Sequence, residues 1–233
     1  MPLEAVLLDV GGVLVVADEA RLYDGMVAAG FARPASSMLE CHYRVTAAID
    51  RLTHEPGWAA DSVAFAHLWA AELGVGSRAD DVAALEAVFT ANQPLWEQVL
   101  PWAVDGLAAL TGAGLRVGVI SNADGTVEAS LRRAGVCQVG PGPGAEVEVV
   151  IDSTVVGVEK PDPAIFRLAL EAMDLEPESC AYVGDTVRYD VDGARAAGLH
   201  PIHLDPFSFC PAIDDHDHVQ SLVGVVELAG SFR

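Results

Sequence analysis

From about Pro101 to the C-terminus, apolar runs of strand length alternate with stretches of helical period, and few architectures accommodate that rhythm. The spacing predicts strands over 115–120, 147–151, 180–183 and 201–204, with helices over 104–110, 126–134, 163–172, 187–197 and 219–229. An earlier run, Ala5-Val-Leu-Leu, ends in Asp9 and enters Gly11-Gly12. It reads as the first buried parallel strand, stopping at a turn that glycine permits. Strands joined by crossover helices imply a mostly parallel, doubly wound (Rossmann-like) α/β sheet. After Asp18 the texture changes to helical periodicity with few β-branched runs, through 41–52, 61–73 and 80–91. The expected organisation is therefore an α/β core, 1–16 and 99–233, interrupted by an inserted α-helical subdomain, 17–98.

Composition narrows the function. The formal net charge of −21 repels phosphate backbones and anionic lipid surfaces, so neither a nucleic acid nor a membrane is an expected partner. Apolar stretches are interrupted well before bilayer-spanning length, and the first residues lack a basic n-region, so the expected location is the cytoplasm. Cys41, Cys137, Cys180 and Cys210 have no C-x-x-C spacing and read as reduced thiols.

In an open parallel sheet, ligands bind at the carboxyl ends of the strands, so the polar residue ending each apolar run carries the most information. Asp9 ends the first. A carboxylate at the edge of an apolar strand loses solvation that a cation would restore, and it is able to attack phosphorus to form an acyl phosphate. Asp185 and Asp190, in Gly-Asp-Thr-Val-Arg-Tyr-Asp, offer oxygen ligands to a hard cation; the plainer alternative is a helix N-cap and a first-turn acid. Ser121 is able to donate to a phosphate oxygen, with backbone amides near Asn122 and Ala123 adding donors, although Ser-Asn-Ala-Asp-Gly is also ordinary turn chemistry. Lys160 is the only lysine, every other basic residue being an arginine. Its compact ammonium suits the space between a nucleophilic carboxylate and a transferred phosphoryl group better than a broad guanidinium fork does.

These residues stand in four motifs. Leu7-Leu-Asp-Val-Gly-Gly-Val-Leu14, Val119-Ile-Ser-Asn122, Gly157-Val-Glu-Lys-Pro-Asp162 and Val183-Gly-Asp-Thr-Val-Arg-Tyr-Asp190 resemble, in order, the conserved motifs of the haloacid dehalogenase superfamily of hydrolases. The resemblance covers nearly the whole chain. It implies Asp9 as nucleophile and Lys160 as charge neutraliser, with Ser121, Asn122 and Gly12 binding phosphate. It further implies Mg2+ held by Asp9, Asp185 and the backbone carbonyl of Gly11, with Asp190 nearby. The substrate would be a small phosphorylated metabolite, and the helical insert resembles the family's α-helical cap, with any exposed apolar cap surface the place for a homodimer to form.

One departure stands out. Phosphatases of this family usually carry a second aspartate two residues after the nucleophile, as general acid and base, where this chain has Gly11. Such proton transfer contributes roughly 10²–10⁴ in rate. The expected substrates are therefore phosphates with good leaving groups, such as sugar 1-phosphates or acyl phosphates, unless the cap or the substrate supplies the acid. Two rivals remain open: a dehalogenase, whose halide leaves unprotonated, and a catalytically weakened phospho-ligand-binding protein. Two further groups read more plainly. Asp214-Asp-His-Asp-His218 carries metal-ligating side chains, but an acidic loop feeding the last helix explains it more simply, and His42, Tyr43, Arg44, Trp58 and Trp69 read mainly as packing within the insert, with one or two of them reaching the substrate.

Overall fold

The computed structural model describes residues 3–52, 62–210 and 215–230, and for 62–64 the backbone alone. The chain forms two compact units, one of Met1–Val15, Val99–Ser208 and Ala212–Arg233, the other of Val16–Gln98 and Phe209–Pro211.

The first unit is built on a parallel sheet of six strands: β1 (Ala5–Leu8), β2 (Arg116–Ser121), β3 (Val149–Asp152), β4 (Cys180–Gly184), β5 (His200–Leu204) and β6 (Asp217–Val219). Across the sheet they run β6-β5-β4-β1-β2-β3, with every neighbouring pair parallel. That is the order of a doubly wound sheet, and it reverses direction at β1, between β2 and β4. All four residues of β1 and all five of β4 are buried, which is why these strands are continuous apolar runs rather than alternating ones.

Helices cover both faces. On one, Ile165, Phe166, Ala169, Leu170 and Met173 of the helix Pro163–Met173 pack against Ala5, Leu7, Ile120, Ile151 and Tyr182. Pro163 opens this helix, and the Asp162 carboxylate caps it by accepting from the Ala164 N–H at 2.9 Å. On the other, the helix Ala103–Gly112 packs on Leu222–Ala229. Their approach needs a glycine, because a Cβ at Gly106 would stand 2.4 Å from Leu222 Cβ.

The structure moves several expected boundaries. The expected strand 147–151 is two: Ala145–Val147 pairs with Cys137–Val139 in a separate ribbon, and Val149–Asp152 joins the main sheet. The expected helix 187–197 opens with a π-turn, Val187–Val191, before Asp192–Ala197. The start of the expected helix 219–229 is instead the end of β6, and the helix begins at Leu222.

Among the described residues, the second unit holds the helices Glu19–Ala28, Met38–Leu52, Ser62–Glu72 and Ala79–Ala91. Its core takes up most of the polar and aromatic side chains picked out in this segment. Tyr43 and Trp69 are each 2 % exposed, His42 lies edge-on to Tyr43 and Trp96, and Trp69 meets Phe89 edge-on. Arg44 pairs with Glu40 one turn away and covers the Phe209 ring. Trp58 lies outside the described residues. All four cysteines are buried free thiols. No helix among the described residues is long and apolar enough to cross a membrane.

Candidate active site

The switch point of the sheet gathers the charges. Asp9 follows Leu8, which registers with Val119 of β2 on one side and Val183 of β4 on the other, and the Asp9 N–H donates to Val183 O at 2.9 Å. Asp185 comes immediately after β4, and Ser121 is the buried last residue of β2. Asp9, Asp185 and Asp190 each bring a carboxylate oxygen within 4.8 Å of the others. All three are at least nine-tenths buried.

Lys160 reaches this cluster from the loop before the helix Pro163–Met173. Its Nζ lies 2.8 Å from Asp9 Oδ1, 2.7 Å from Asp190 Oδ1 and 2.9 Å from the Tyr182 hydroxyl. Asn122 holds the lysine from behind through two bonds: its Nδ2 donates to Lys160 O at 3.0 Å, and its Oδ1 accepts from Lys160 N at 2.8 Å. The Asn122 side chain thus positions Lys160, while its neighbour Ala123 is tied by its N–H to Ser153 Oγ at 3.1 Å. Asp152, at the end of β3, accepts from Gly125 N at 2.9 Å and orders the same loop.

Asp190 is not an exposed first-turn acid. Its Oδ2 accepts from the Thr186 N–H at 3.0 Å and from the Thr186 hydroxyl at 2.6 Å, so the π-turn closes on itself around a buried carboxylate. Gly184 makes room for it: a Cβ there would stand 2.2 Å from Asp190 Cβ. The turn after Asp9 is equally local. Gly12 has φ of +70°, and its N–H is given to Val15 O at 2.8 Å, so what this residue visibly contributes is the turn itself.

Electrostatics separate the two carboxylates that share the lysine. Burial raises the Asp190 carboxyl, but the Lys160 ammonium outweighs it, reinforced by Thr186, and the group sits below its ordinary value. Burial raises Asp9 too, and there Lys160 does not compensate for the neighbouring Asp190 and Asp185 charges; its carboxyl is pushed up to about 7. Burial presses Lys160 down, yet Asp190 and Asp9 together lift it above its usual range. The lysine therefore stays charged between the two carboxylates, 2.8 Å from Asp9 and 2.7 Å from Asp190. Three carboxylates facing one ammonium leave two negative charges in excess, in an all-oxygen donor set that suits a hard dication. These residues fit magnesium.

Tyr182 and Thr186 are the members of this network that the strand-end reading misses. The signal for Tyr182 is its polar tip in an otherwise apolar buried strand, since a buried tyrosine hydroxyl needs a partner.

Comparison with known proteins agrees with this geometry. The family model of haloacid dehalogenase-like hydrolases matches residues 3–198. The chain belongs to that family. Among curated relatives, the haloacid dehalogenase-like hydrolase domain-containing protein 3 of Homo sapiens is 37% identical over 121 residues, covering 49% of this chain and 45% of the relative. The phosphoserine phosphatase of Thermus thermophilus is 45% identical over 67 residues, covering 29% and 27%, and the ribulose-1,5-bisphosphate 5-phosphatase of Halopiger xanaduensis is 29% identical over 150 residues, covering 64% and 60%. The chain spans about half the length or less of the first of these curated relatives. Among solved structures, the hydrolase YfnB of Bacillus subtilis, bound to magnesium, superposes with a TM-score of 0.67 at 19% identity over 98% of this chain and 99% of that one. A phosphatase from Thermococcus onnurineus superposes at 0.59 and 21% identity, covering 98% of both chains. For this haloacid dehalogenase-like hydrolase, the structural likeness speaks to the fold, and the family together with its phosphatase relatives speaks to hydrolysis.

Proposed function

We propose that this hydrolase cleaves a small phosphorylated metabolite in two steps through a phosphoryl group carried on Asp9. The observation that carries the reading is geometric: the Lys160 ammonium lies 2.8 Å from Asp9 and 2.7 Å from Asp190, in a buried cluster that Asp185 completes at the carboxyl ends of the central strands. In the first step an Asp9 carboxylate oxygen attacks phosphorus as the bond to the leaving oxygen breaks. Lys160 lies against the attacking carboxylate and offsets the negative charge that would otherwise repel a phosphate. Ser121, at the end of β2, supplies a hydroxyl donor to a phosphoryl oxygen, while the Ala123 and Gly125 amides are taken up in ordering the loop behind it. In the second step water attacks phosphorus, inorganic phosphate leaves, and the Asp9 carboxylate is regenerated.

A magnesium ion held by Asp9, Asp185 and the Gly11 carbonyl, with Asp190 behind them, would supply electrostatic stabilisation of the transferring phosphoryl group. Gly11 brings no carboxyl group to protonate the leaving oxygen, so substrates that expel a stable anion are favoured. Substrate choice falls to the helical insert, 17–98, acting as a cap. The phosphatase relatives from Thermus and Halopiger support phosphorus rather than carbon as the electrophile, as does the carboxylate cluster, which a halide-releasing reaction does not need.

The test is release of phosphate from p-nitrophenyl phosphate and from a panel of sugar 1-phosphates, acyl phosphates and simple alkyl phosphates, with magnesium and with EDTA. Turnover that needs magnesium, favours the activated esters and disappears in Asp9→Asn supports the reading. Phosphate-analogue binding without turnover on any activated ester would favour a binding protein, and EDTA-resistant halide release a dehalogenase.

A further inference from the structure

A second cluster of metal-ligating side chains lies further along the same sheet, and the chemistry above makes no use of it. His203 is in β5, His218 is its register partner in β6, and His216 precedes β6 by one residue. The three rings converge: His216 stacks on His218 with centroids 4.4 Å apart, and His203 lies 5.2 Å and 5.1 Å from them. One ring nitrogen from each comes within 4.8 Å of the others.

The arrangement around His203 is that of a ligand. His203 Nε2 lies 3.1 Å from the Asp185 main-chain oxygen, a contact that requires an N–H on Nε2 and leaves the Nδ1 lone pair free of a proton. That Nδ1 faces His216 Nε2 at 3.1 Å. Ring nitrogens on one tetrahedral zinc ion stand about 3.3 Å apart, given bonds of about 2.0–2.1 Å. On its far side, His216 Nδ1 lies 3.9 Å from the Asp215 carboxylate, a charge nearby rather than a hydrogen bond, so it is His203 that has an oxygen acceptor behind it and a nitrogen pointing inward. His218 Nε2 is buried and has no hydrogen-bond partner among the described residues. A hydrogen bond between His203 and His216 would explain those two rings as ordinary packing, but it leaves the third imidazole and its orphaned nitrogen without a role.

We propose that His203, His216 and His218 form a second metal site, for a transition-metal dication of the zinc class. Three imidazoles select such an ion over magnesium, which prefers oxygen, so the two clusters divide the available cations by ligand type. The site is one hydrogen bond from Asp185, through the His203 ring.

The test uses the full chain without a histidine tag, stripped of metal and held in millimolar magnesium so that the carboxylate cluster is occupied. Titration with Co2+ should give the visible absorption of a low-coordinate nitrogen site at one equivalent, displaced by Zn2+. Zn2+ affinity should fall at least about 10–100-fold in the double variant His216→Asn/His218→Asn and persist in Asp9→Asn. Should the double variant unfold, the histidine ring 15N resonances of the wild-type chain give the same answer, because Zn2+ must shift those of the three residues. Absence of a cobalt band and of resonance shifts, equal affinity in the folded double variant, or loss of binding in Asp9→Asn would each overturn the proposal.

Discussion

The two side-chain clusters on this sheet differ in how they reach neutrality. At the switch point, three carboxylates face one ammonium, and the imbalance is carried by Asp9, whose carboxyl is pushed up to about 7. Between β5 and β6, three imidazoles face one another near Asp215 and the Asp185 carbonyl, and what the cluster offers is ring nitrogen rather than carboxylate oxygen. The first arrangement wants a hard dication and a phosphate, the second a softer dication. The difference teaches that ligand atom type, more than burial, separates the chemistry of two polar clusters in one sheet.

Replacing members of the carboxylate cluster should affect turnover and leave zinc binding by the histidines in place. Asp9→Asn has the largest effect, a loss of about 10⁴-fold or more in kcat on p-nitrophenyl phosphate, because no other side chain takes over the attack. Circular dichroism should show the fold retained. Lys160→Ala follows, with kcat down about 10³-fold, the scale of losing one preorganised positive donor. It should also lower stability by roughly 3–5 kcal/mol in denaturant unfolding, since Asp190 is then buried without its partner. Lys160→Arg should not restore the rate, because the guanidinium fork does not fit where one nitrogen serves Asp9, Asp190 and Tyr182.

Asp190→Asn should weaken magnesium activation about 10–100-fold, as expected for a residue that holds the lysine and borders the metal ligands, measured as the magnesium concentration for half-maximal turnover. Tyr182→Phe is the mildest. It removes one hydroxyl from the Lys160–Asp190 network and should cost about 1.5–3 kcal/mol of stability, with a change in kcat of only a few fold. A large kcat effect in Tyr182→Phe would mean that the hydroxyl takes part in the chemistry and that the division between positioning and reacting groups is wrong.

Much of this was legible in the chain before folding. β1, β2 and β4 are short, largely apolar runs because they are buried within the sheet, and Asp9, Ser121 and Asp185 stand at their carboxyl ends, where a parallel sheet opens its ligand site. Lys160 stood out by being the only lysine. What stayed hidden depends on tertiary contact. Tyr182 matters because of where Lys160 arrives, and Thr186 because Asp190, four residues on, turns back onto it; the polar tip of Tyr182 in an apolar strand hints only that it has a partner and not which one. His216 and His218 read as parts of an acidic loop because the third imidazole comes from another strand, and the strand that carries His218 is only three residues long. The acids around them do behave as a solvated segment: Asp215 and Asp217 are exposed.

The most direct measurement is acid quenching of the wild-type enzyme during turnover of an activated phosphate with magnesium, followed by mass spectrometry of its peptides. A phosphoryl group on the peptide containing Asp9, absent in Asp9→Asn and in EDTA, is the predicted result. Robust phosphate release with no trapped phosphopeptide under any quench, or a phosphoryl group on another residue, would contradict Asp9 as the nucleophile.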